Sequence, residues 1–459
     1  MTATLRSLIP AAEFVSRRAA LMQAIGPDAV ALIPAALHPR RNRDTEYRFR
    51  QDSDFYYLSG FPEPEALIVL APGRGDGEFI LFCRPRDREM EIWNGYRAGP
   101  EGAVKDFGAD QAFSVAELDA RLPDLLAGRS RVFAPMGVQP DFDRRLGGWL
   151  GQVRAKGRAG IKAPGELHLL DSALHPLRLI KSVAELSIMQ RAADISAEGH
   201  RRAMALAAPY RHEYELEAEL LHAFTRHGCP APAYGSIVGS GANACILHYT
   251  ENDRRMQDGD LVLIDAGGEL DHYAADITRT FPVNGRFSDP QRELYEVVLA
   301  AQLAAIDAVR PGASWQAPHE AAVRILTQGL VDHGLLSGDV DGLIESGAFR
   351  RFYMHRTGHW LGMDVHDVGD YQIDGQWRPL QAGMVLTVEP GLYVAPDDET
   401  VAAHWRGIGI RIEDDVVVTE AGHHVLTART PKTVAEIEAL VGTSPRNHGA
   451  REQGARVPA

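Results

Sequence analysis

Compact apolar runs alternate with stretches of helical periodicity through the first third of the chain. ALIPAAL, EALIVLAP, EFILFCRP and RVFAPM read as strands, and FVSRRAALMQAI and VAELDARLPDLL as helices. That alternation predicts an α/β domain over residues 1–176. Beyond it the pattern changes. Ser182 and Glu185 in KSVAELSIMQRAADI form a Ser-x-x-Glu capping box. Val183, Leu186, Met189, Ala192 and Ile195 follow at helical spacing, so a long amphipathic helix opens a second domain, residues 177–440.

Three further helices are expected in that domain. YELEAELLHAFTRHG closes at Gly228, a second opens on Asp289 as N-cap before Pro290 and ends ahead of Pro311-Gly312, and APHEAAVRILTQGLVDHG closes at Gly334. The first and third are alike in length and both end on His-Gly before a β-like region, which reads as a weak internal duplication. VGTSPRNHGAREQGARVPA is polar and rich in small residues, and predicts a disordered tail over 441–459.

At 459 residues, 45% hydrophobic and 24% charged, the chain is long enough for two or three globular domains. A formal net charge of −14 with no Lys/Arg cluster argues against nucleic acid and anionic membranes as partners. Cys83, Cys229 and Cys245 show no CxxC spacing and read as reduced core thiols. No secretory apolar core opens the chain, and no run reaches the roughly 18 apolar residues of a membrane span, so a soluble cytoplasmic protein is expected. HExxH, Walker A and GxGxxG are absent. Gly239 to Asn243 reads as a tight loop.

Five side chains sit badly in their surroundings unless a cation joins them. Asp265 in LVLIDAGG, Asp276 in AADITRTF, Glu389 in VLTVEPGLY and Glu413 in GIRIEDDVVV lie in or at the ends of apolar β-like runs, where a carboxylate is costly to bury alone. His359 in TGHWLGMDVHD supplies a nitrogen, with His355 and His366 nearby. LVLID and DITRTF predict a hairpin in which Asp265 faces Asp276 directly, with Cβ atoms about 5 Å apart. Period-2 alternation sets Arg411 beside Glu413 on one face, a natural partner for orienting that carboxylate. Four carboxylates and a neutral imidazole match two divalent ions, and a bridging hydroxide leaves one net negative charge. Oxygen-rich ligation with one nitrogen and no thiolate favours Mn²⁺ or a similar hard ion over structural zinc.

The stretches LIDAG, DITRTFPVNG, GHWLGMDVHDVG, TVEPGLY and GIRIEDDVVVT resemble the pita-bread metallopeptidases, and DSDFYYLSGFPEPEALIVL with EIWNGYRAG resembles the aminopeptidase P branch. The likeness covers nearly the whole chain apart from the tail, with every ligand present. It implies an N-terminal α/β creatinase-like domain followed by a C-terminal α+β pita-bread catalytic domain with pseudo-twofold symmetry. It also implies that Asp276 and Glu413 bridge two metals, most often Mn²⁺ with Co²⁺ or Zn²⁺ as alternatives, that Asp265 holds one, and that His359 and Glu389 hold the other. His248, His355 and His366 match the additional active-site histidines, and Arg411 and Tyr393 stand behind the ligands.

The implied reaction is release of the N-terminal residue from peptides with proline second, by a metal-bridging hydroxide. Glu389 would shuttle the proton, and His366 and His248 would bind the oxyanion and the substrate backbone. The free amino group would lie near Asp265. A flat pocket for proline is expected from Tyr393, Trp360 and Trp93, with the ring faces of His355 and His366. Homodimeric or homotetrameric assembly is implied as well. Competing readings are a prolidase restricted to Xaa-Pro dipeptides, a metal-free creatinase-like amidinohydrolase and a non-catalytic pita-bread binding protein.

Overall fold

The computed structural model describes residues 7–447, and the chain divides into two compact units, one up to Arg178 and one from Leu179. In the first, β1 (Ala29–Pro34), β2 (Leu67–Leu70), β3 (Phe79–Cys83), β4 (Gln111–Ser114), β5 (Arg131–Ala134) and β6 (Glu166–Leu169) form one sheet, in the order β4, β3, β2, β1, β5, β6. The sheet is mixed: β2 runs antiparallel to β1 and β3, and the remaining pairs are parallel. Helix α1 (Leu118–Leu126) carries the chain from the edge strand β4 across the sheet to β5, and α2 (Pro140–Ala155) connects the parallel neighbours β5 and β6, as such a crossover requires. Val30, Leu32, Val69, Ile80, Phe82 and Val132 present alternate side chains to Leu122, Leu126, Phe142 and Trp149. The four apolar runs of the sequence are the inner strands. β4 and β6 occupy the edges, β4 only partly buried and β6 mostly exposed, which is why no apolar run announces them.

The second unit opens on α3 (Val183–Leu206), capped as its sequence requires: Ser182 Oγ accepts from Glu185 N at 3.3 Å and Glu185 Oε2 accepts from Ser182 N at 2.9 Å. It packs on α4 (Glu213–Arg226), and α5 (Asp289–Asp307) packs on α6 (Ala317–Asp332). The N-cap of α5 is Ser288 and not Asp289, because Gln291 stands three residues on and its Oε1 accepts from Ser288 N at 3.0 Å. Both α4 and α6 stop on a histidine followed by a glycine in the left-handed region, Gly228 at φ +100° and Gly334 at φ +70°.

A three-stranded antiparallel sheet follows each helix pair. The first holds β7 (Ile237–Ser240), β8 (Leu261–Asp265) and, after a small hairpin of β9 (Gly268–Leu270) and β10 (Tyr273–Ala274), β11 (Thr278–Pro282). The second half lays down β12 (Val385–Val388), β13 (Gly391–Tyr393), β14 (Gly409–Arg411), β15 (Asp414–Thr419) and β16 (Gly422–Val425). There β12, β15 and β16 form the sheet, while β13 pairs with β14. Two repeats of helix pair plus sheet make this the pita-bread architecture. The halves are clamped by a buried cluster in which Asp414 receives Arg279 Nη2 and Lys432 Nζ, each at 2.7 Å, and Gln302 Nε2 at 2.8 Å.

The register between β8 and β11 differs from the symmetric hairpin expected. Asp265 pairs with Thr278, and Asp276 lies before the strand begins. The cause is the inserted hairpin, whose turn residues Asp271 and His272 both take positive φ. Gly267 is required at its base, since a Cβ there would lie 1.6 Å from the Ala275 carbonyl oxygen. Of the expected tail 441–459, the described part is held against α3: Gly442 N bonds Met204 O, and Ser444 N and Asn447 Nδ2 bond Ala205 O. Residues 448–459 lie outside the described residues. No helix among the described residues is long and apolar enough to cross a membrane.

Candidate active site

Asp265 stands at the end of β8, Asp276 on the return from the small hairpin, Glu389 just after β12 and Glu413 between β14 and β15. His359 comes from a loop pinned to β12, where Thr387 Oγ1 accepts from His359 N at 3.1 Å and Thr387 N bonds His359 O at 3.0 Å. Gly358 permits that approach, because a Cβ would meet Thr387 O at 2.1 Å. All five side chains line a cavity of about 1280 Å³ in the second unit. One ligand atom each from Asp276, His359 and Glu413 fall within 4.8 Å of one another. His359 Nε2 lies 3.5 Å from Asp276 Oδ2 and 3.7 Å from Glu389 Oε1. Its Nδ1 lies 2.9 Å from the Trp360 carbonyl oxygen, which fixes the proton on Nδ1 and turns Nε2 toward the acids.

Arg411 is the fixed cation of the site. Nη2 donates to Asp265 Oδ2 at 2.7 Å, Nη1 to the Tyr393 hydroxyl at 3.0 Å and Nε to Thr278 Oγ1 at 3.2 Å. Thr278 passes its own proton to Glu413 Oε2 at 2.6 Å. Arg411 therefore reaches Glu413 only through Thr278, not directly as strand alternation suggested. The alternation fails because the strand breaks at Ile412. Tyr393 continues the chain of donors: its hydroxyl lies 2.9 Å from His355 Nε2, and His355 Nδ1 lies 2.7 Å from Arg356 O.

The remaining expected site residues fall into two sets. His248, His355 and His366 line the cavity, with the His366 ring edge-on to His359 at a centroid distance of 4.4 Å. Tyr393 and Trp360 do not line it. Tyr393 is buried behind Arg411, and Trp360 is fully buried, stacked on Tyr371 and against Trp315, which do face the cavity. Trp93 belongs to the first unit, on a short helix with no buried residue, and is 79% exposed. Sequence reasoning missed Tyr234, whose hydroxyl lies 2.6 Å from Asp265 Oδ1 and also bonds Asp276 Oδ1. A lone tyrosine in PAPAYGS carries no signal. Thr278 had one, being two residues beyond Asp276 in a strand.

The electrostatics call for more positive charge than the chain supplies. Burial and the neighbouring acids Asp276, Glu389 and Asp265 push the Glu413 carboxyl well above its ordinary range. Burial also lifts Glu389 to about 7, with Asp276 and Asp265 adding to it against His359 and Arg411. Asp265 is raised by burial and by Asp276 despite Arg411. Burial opposes charge on His359 too, yet Asp276 and Glu389 hold its imidazole up at about 9. Among the described residues Glu413 has no cation within ion-pairing distance. One phenolic proton on Tyr234 cannot serve both aspartates. These residues fit divalent metal: with four carboxylates, a neutral imidazole, a hydroxide and two divalent ions, Arg411 brings the cluster to neutrality.

The comparisons with known proteins agree with this chemistry. Residues 187–420 match the model of metallopeptidase family M24, and residues 14–133 match the aminopeptidase P N-terminal domain. The chain is 47% identical over 435 residues to the Xaa-Pro aminopeptidase of Haemophilus influenzae, covering 94% of this chain and 98% of that one. It is 48% identical over 430 residues to the Escherichia coli Xaa-Pro aminopeptidase, covering 94% and 97%. Among solved structures, Pseudomonas aeruginosa aminopeptidase PepP superposes with a TM-score of 0.94 at 56% identity, covering 97% of this chain and 99% of that chain. A zinc-substituted E. coli aminopeptidase P in complex with product gives 0.91 at 48% identity, covering 94% and 98%.

Proposed function

The chain belongs to metallopeptidase family M24, and from that premise we propose that it is a metal-dependent aminopeptidase releasing the N-terminal residue from peptides with proline in second position. The observation that carries this reading is the convergence of Asp276, His359 and Glu413 ligand atoms within 4.8 Å in a cavity that Asp265 and Glu389 also line. Asp276 and Glu413 would hold both of two divalent ions, Asp265 one of them, and His359 Nε2 with Glu389 the other. The donor set favours Mn²⁺. Bound there, the ions would acidify a water and polarise the scissile carbonyl.

The chain's own residues do the rest. Glu389 lines the cavity beside His359, where its carboxylate would take a proton at Oε and return it to the leaving amine. His248 and His366 stand on the cavity wall as donors to the substrate carbonyl. His355 has both ring nitrogens engaged, so it offers its ring face. Trp315 and Tyr371 offer flat apolar surface to a proline ring. Assembly as a homodimer or homotetramer belongs to the same reading, and light scattering tests it.

The deciding experiment measures hydrolysis of Ala-Pro-Ala, Ala-Pro and Ala-Ala-Ala after chelation and Mn²⁺ restoration. Metal-dependent release of alanine from Ala-Pro-Ala, with little activity on the other two, is expected. Activity confined to Ala-Pro would make the chain a dipeptidase, and activity that survives chelation would remove metal from the mechanism.

A further inference from the structure

Two guanidinium groups line the cavity, and they differ in kind. Arg411 is buried and spends its donors on Asp265, Tyr393 and Thr278. Arg356 is exposed, stands directly after His355 in the chain and is held by neutral partners. Its Nη2 donates to Gln316 Oε1 at 2.6 Å, and its guanidinium carbon lies 5.0 Å from the centre of the Trp377 ring. Among the described residues no carboxylate pairs with it, although Asp370 also lines the cavity. The Trp377 face and the Gln316 amide fix the plane of the guanidinium and leave N–H groups of its fork unused. A fork held in place with its charge unmatched is a receptor for a carboxylate, since a planar guanidinium binds one by two parallel hydrogen bonds.

We infer that Arg356 is a specificity residue that binds a substrate carboxylate on the leaving side of the scissile bond, favouring short peptides that end soon after the proline. The inference rests on the aminopeptidase reading above, because it needs a peptide in the cavity. Gln316 and Trp377 are positioning residues for that fork. A C-terminal carboxylate and an acidic side chain share the required chemistry.

The test compares kcat/KM for Ala-Pro-Ala, its C-terminal amide and Ala-Pro-Asp amide in the Mn²⁺-loaded full chain, with Arg356→Met alongside. Methionine keeps apolar contact with Trp377 while removing the charge. In the wild type the free acid should exceed the amide by roughly 5- to 20-fold, mostly through KM. In Arg356→Met the acid-to-amide ratio should fall toward unity. Recovery of the preference with Ala-Pro-Asp amide assigns side-chain carboxylates to the same receptor, and its absence confines the receptor to the C-terminus. An unchanged acid-to-amide ratio in a variant with wild-type melting temperature would overturn the inference. Lack of hydrolysis of all three peptides by the wild type would instead overturn the aminopeptidase reading. If Arg356→Met fails to fold, Gln316→Ala and Trp377→Leu must each lower the ratio, and a ratio unchanged in both has the same overturning force.

Discussion

Arg411 reaches across the fold to Asp265, Nη2 to Oδ2 at 2.7 Å, and makes no ion pair with Glu413 two positions along its own chain. The arginine thereby ties the ends of β8 and β14 and supplies the charge that two divalent ions and a hydroxide leave unmatched. Arg411→Ala should lower kcat/KM on Ala-Pro-Ala by about 10- to 100-fold. Arg411→Lys should recover only part, since an ammonium cannot fork to Asp265, Tyr393 and Thr278 together. Steady-state kinetics with metal analysis of the same samples check this. Full activity in the alanine variant would count against any role for Arg411.

Tyr234 keeps two aspartates together without metal. Tyr234→Phe removes the hydroxyl shared by Asp265 and Asp276 and should destabilise the chelated protein by about 1–2 kcal/mol. Metal saturation should narrow that difference, because the ions take over the neutralising role. Thermal melts with EDTA and with Mn²⁺ read both numbers, and an equal deficit under the two conditions would contradict the account.

His359→Ala and Glu413→Ala each remove one of the three ligand positions that converge most closely. Both variants should bind less metal and hydrolyse Ala-Pro-Ala no faster than chelator-treated wild type. Metal content by plasma emission, measured beside turnover, decides the point. Normal turnover with a full complement of metal would refute the dinuclear assignment.

Asp414 gives the fold a defined acid limit. Burial works against its charge, yet Arg279 and Lys432 hold its carboxyl down at about 2. A group depressed on folding stabilises above its unfolded value, near 4, and that contribution is lost as pH falls through 2. The difference amounts to about 2 kcal/mol. Asp414→Asn should cost about 3–5 kcal/mol at neutral pH by leaving Arg279 poorly matched, and should flatten the wild-type loss of stability between pH 4 and 2. Denaturant titrations across that range would show a parallel slope in both proteins if the account were wrong.

Local chemistry was legible in the sequence wherever one element decides it. The capping box at Ser182, the inner strands of the first unit and the helix stops at Gly228 and Gly334 depend on neighbouring residues only. Reading across elements was harder. The inserted hairpin after Gly267 shifted the partner of Asp265 from Asp276 to Thr278, since alternation assumes a continuous strand. The break at Ile412 did the same to Arg411 and Glu413. Trp360 carried the composition of a pocket residue, but its ring lies behind Trp315 and Tyr371, and burial depth is a property of packing that a linear pattern does not encode. Tyr234 and Arg356 are single residues without periodicity, and only the folded cavity identifies them.

Thr278 and Arg279 are consecutive in β11 and face opposite ways: the threonine bonds Glu413 and the arginine bonds Asp414, itself the next residue in the chain. Two adjacent pairs thus share one stretch of backbone, with Glu413 N donating to Thr278 O at 3.0 Å. A protein engineer seeking heat resistance would replace the buried Arg279–Asp414 pair with apolar side chains, a swap that often raises stability. In this chain the same exchange would move the backbone that aims a ligand carboxylate. Thermostability and turnover are coupled through a single strand, and improving the one requires re-measuring the other.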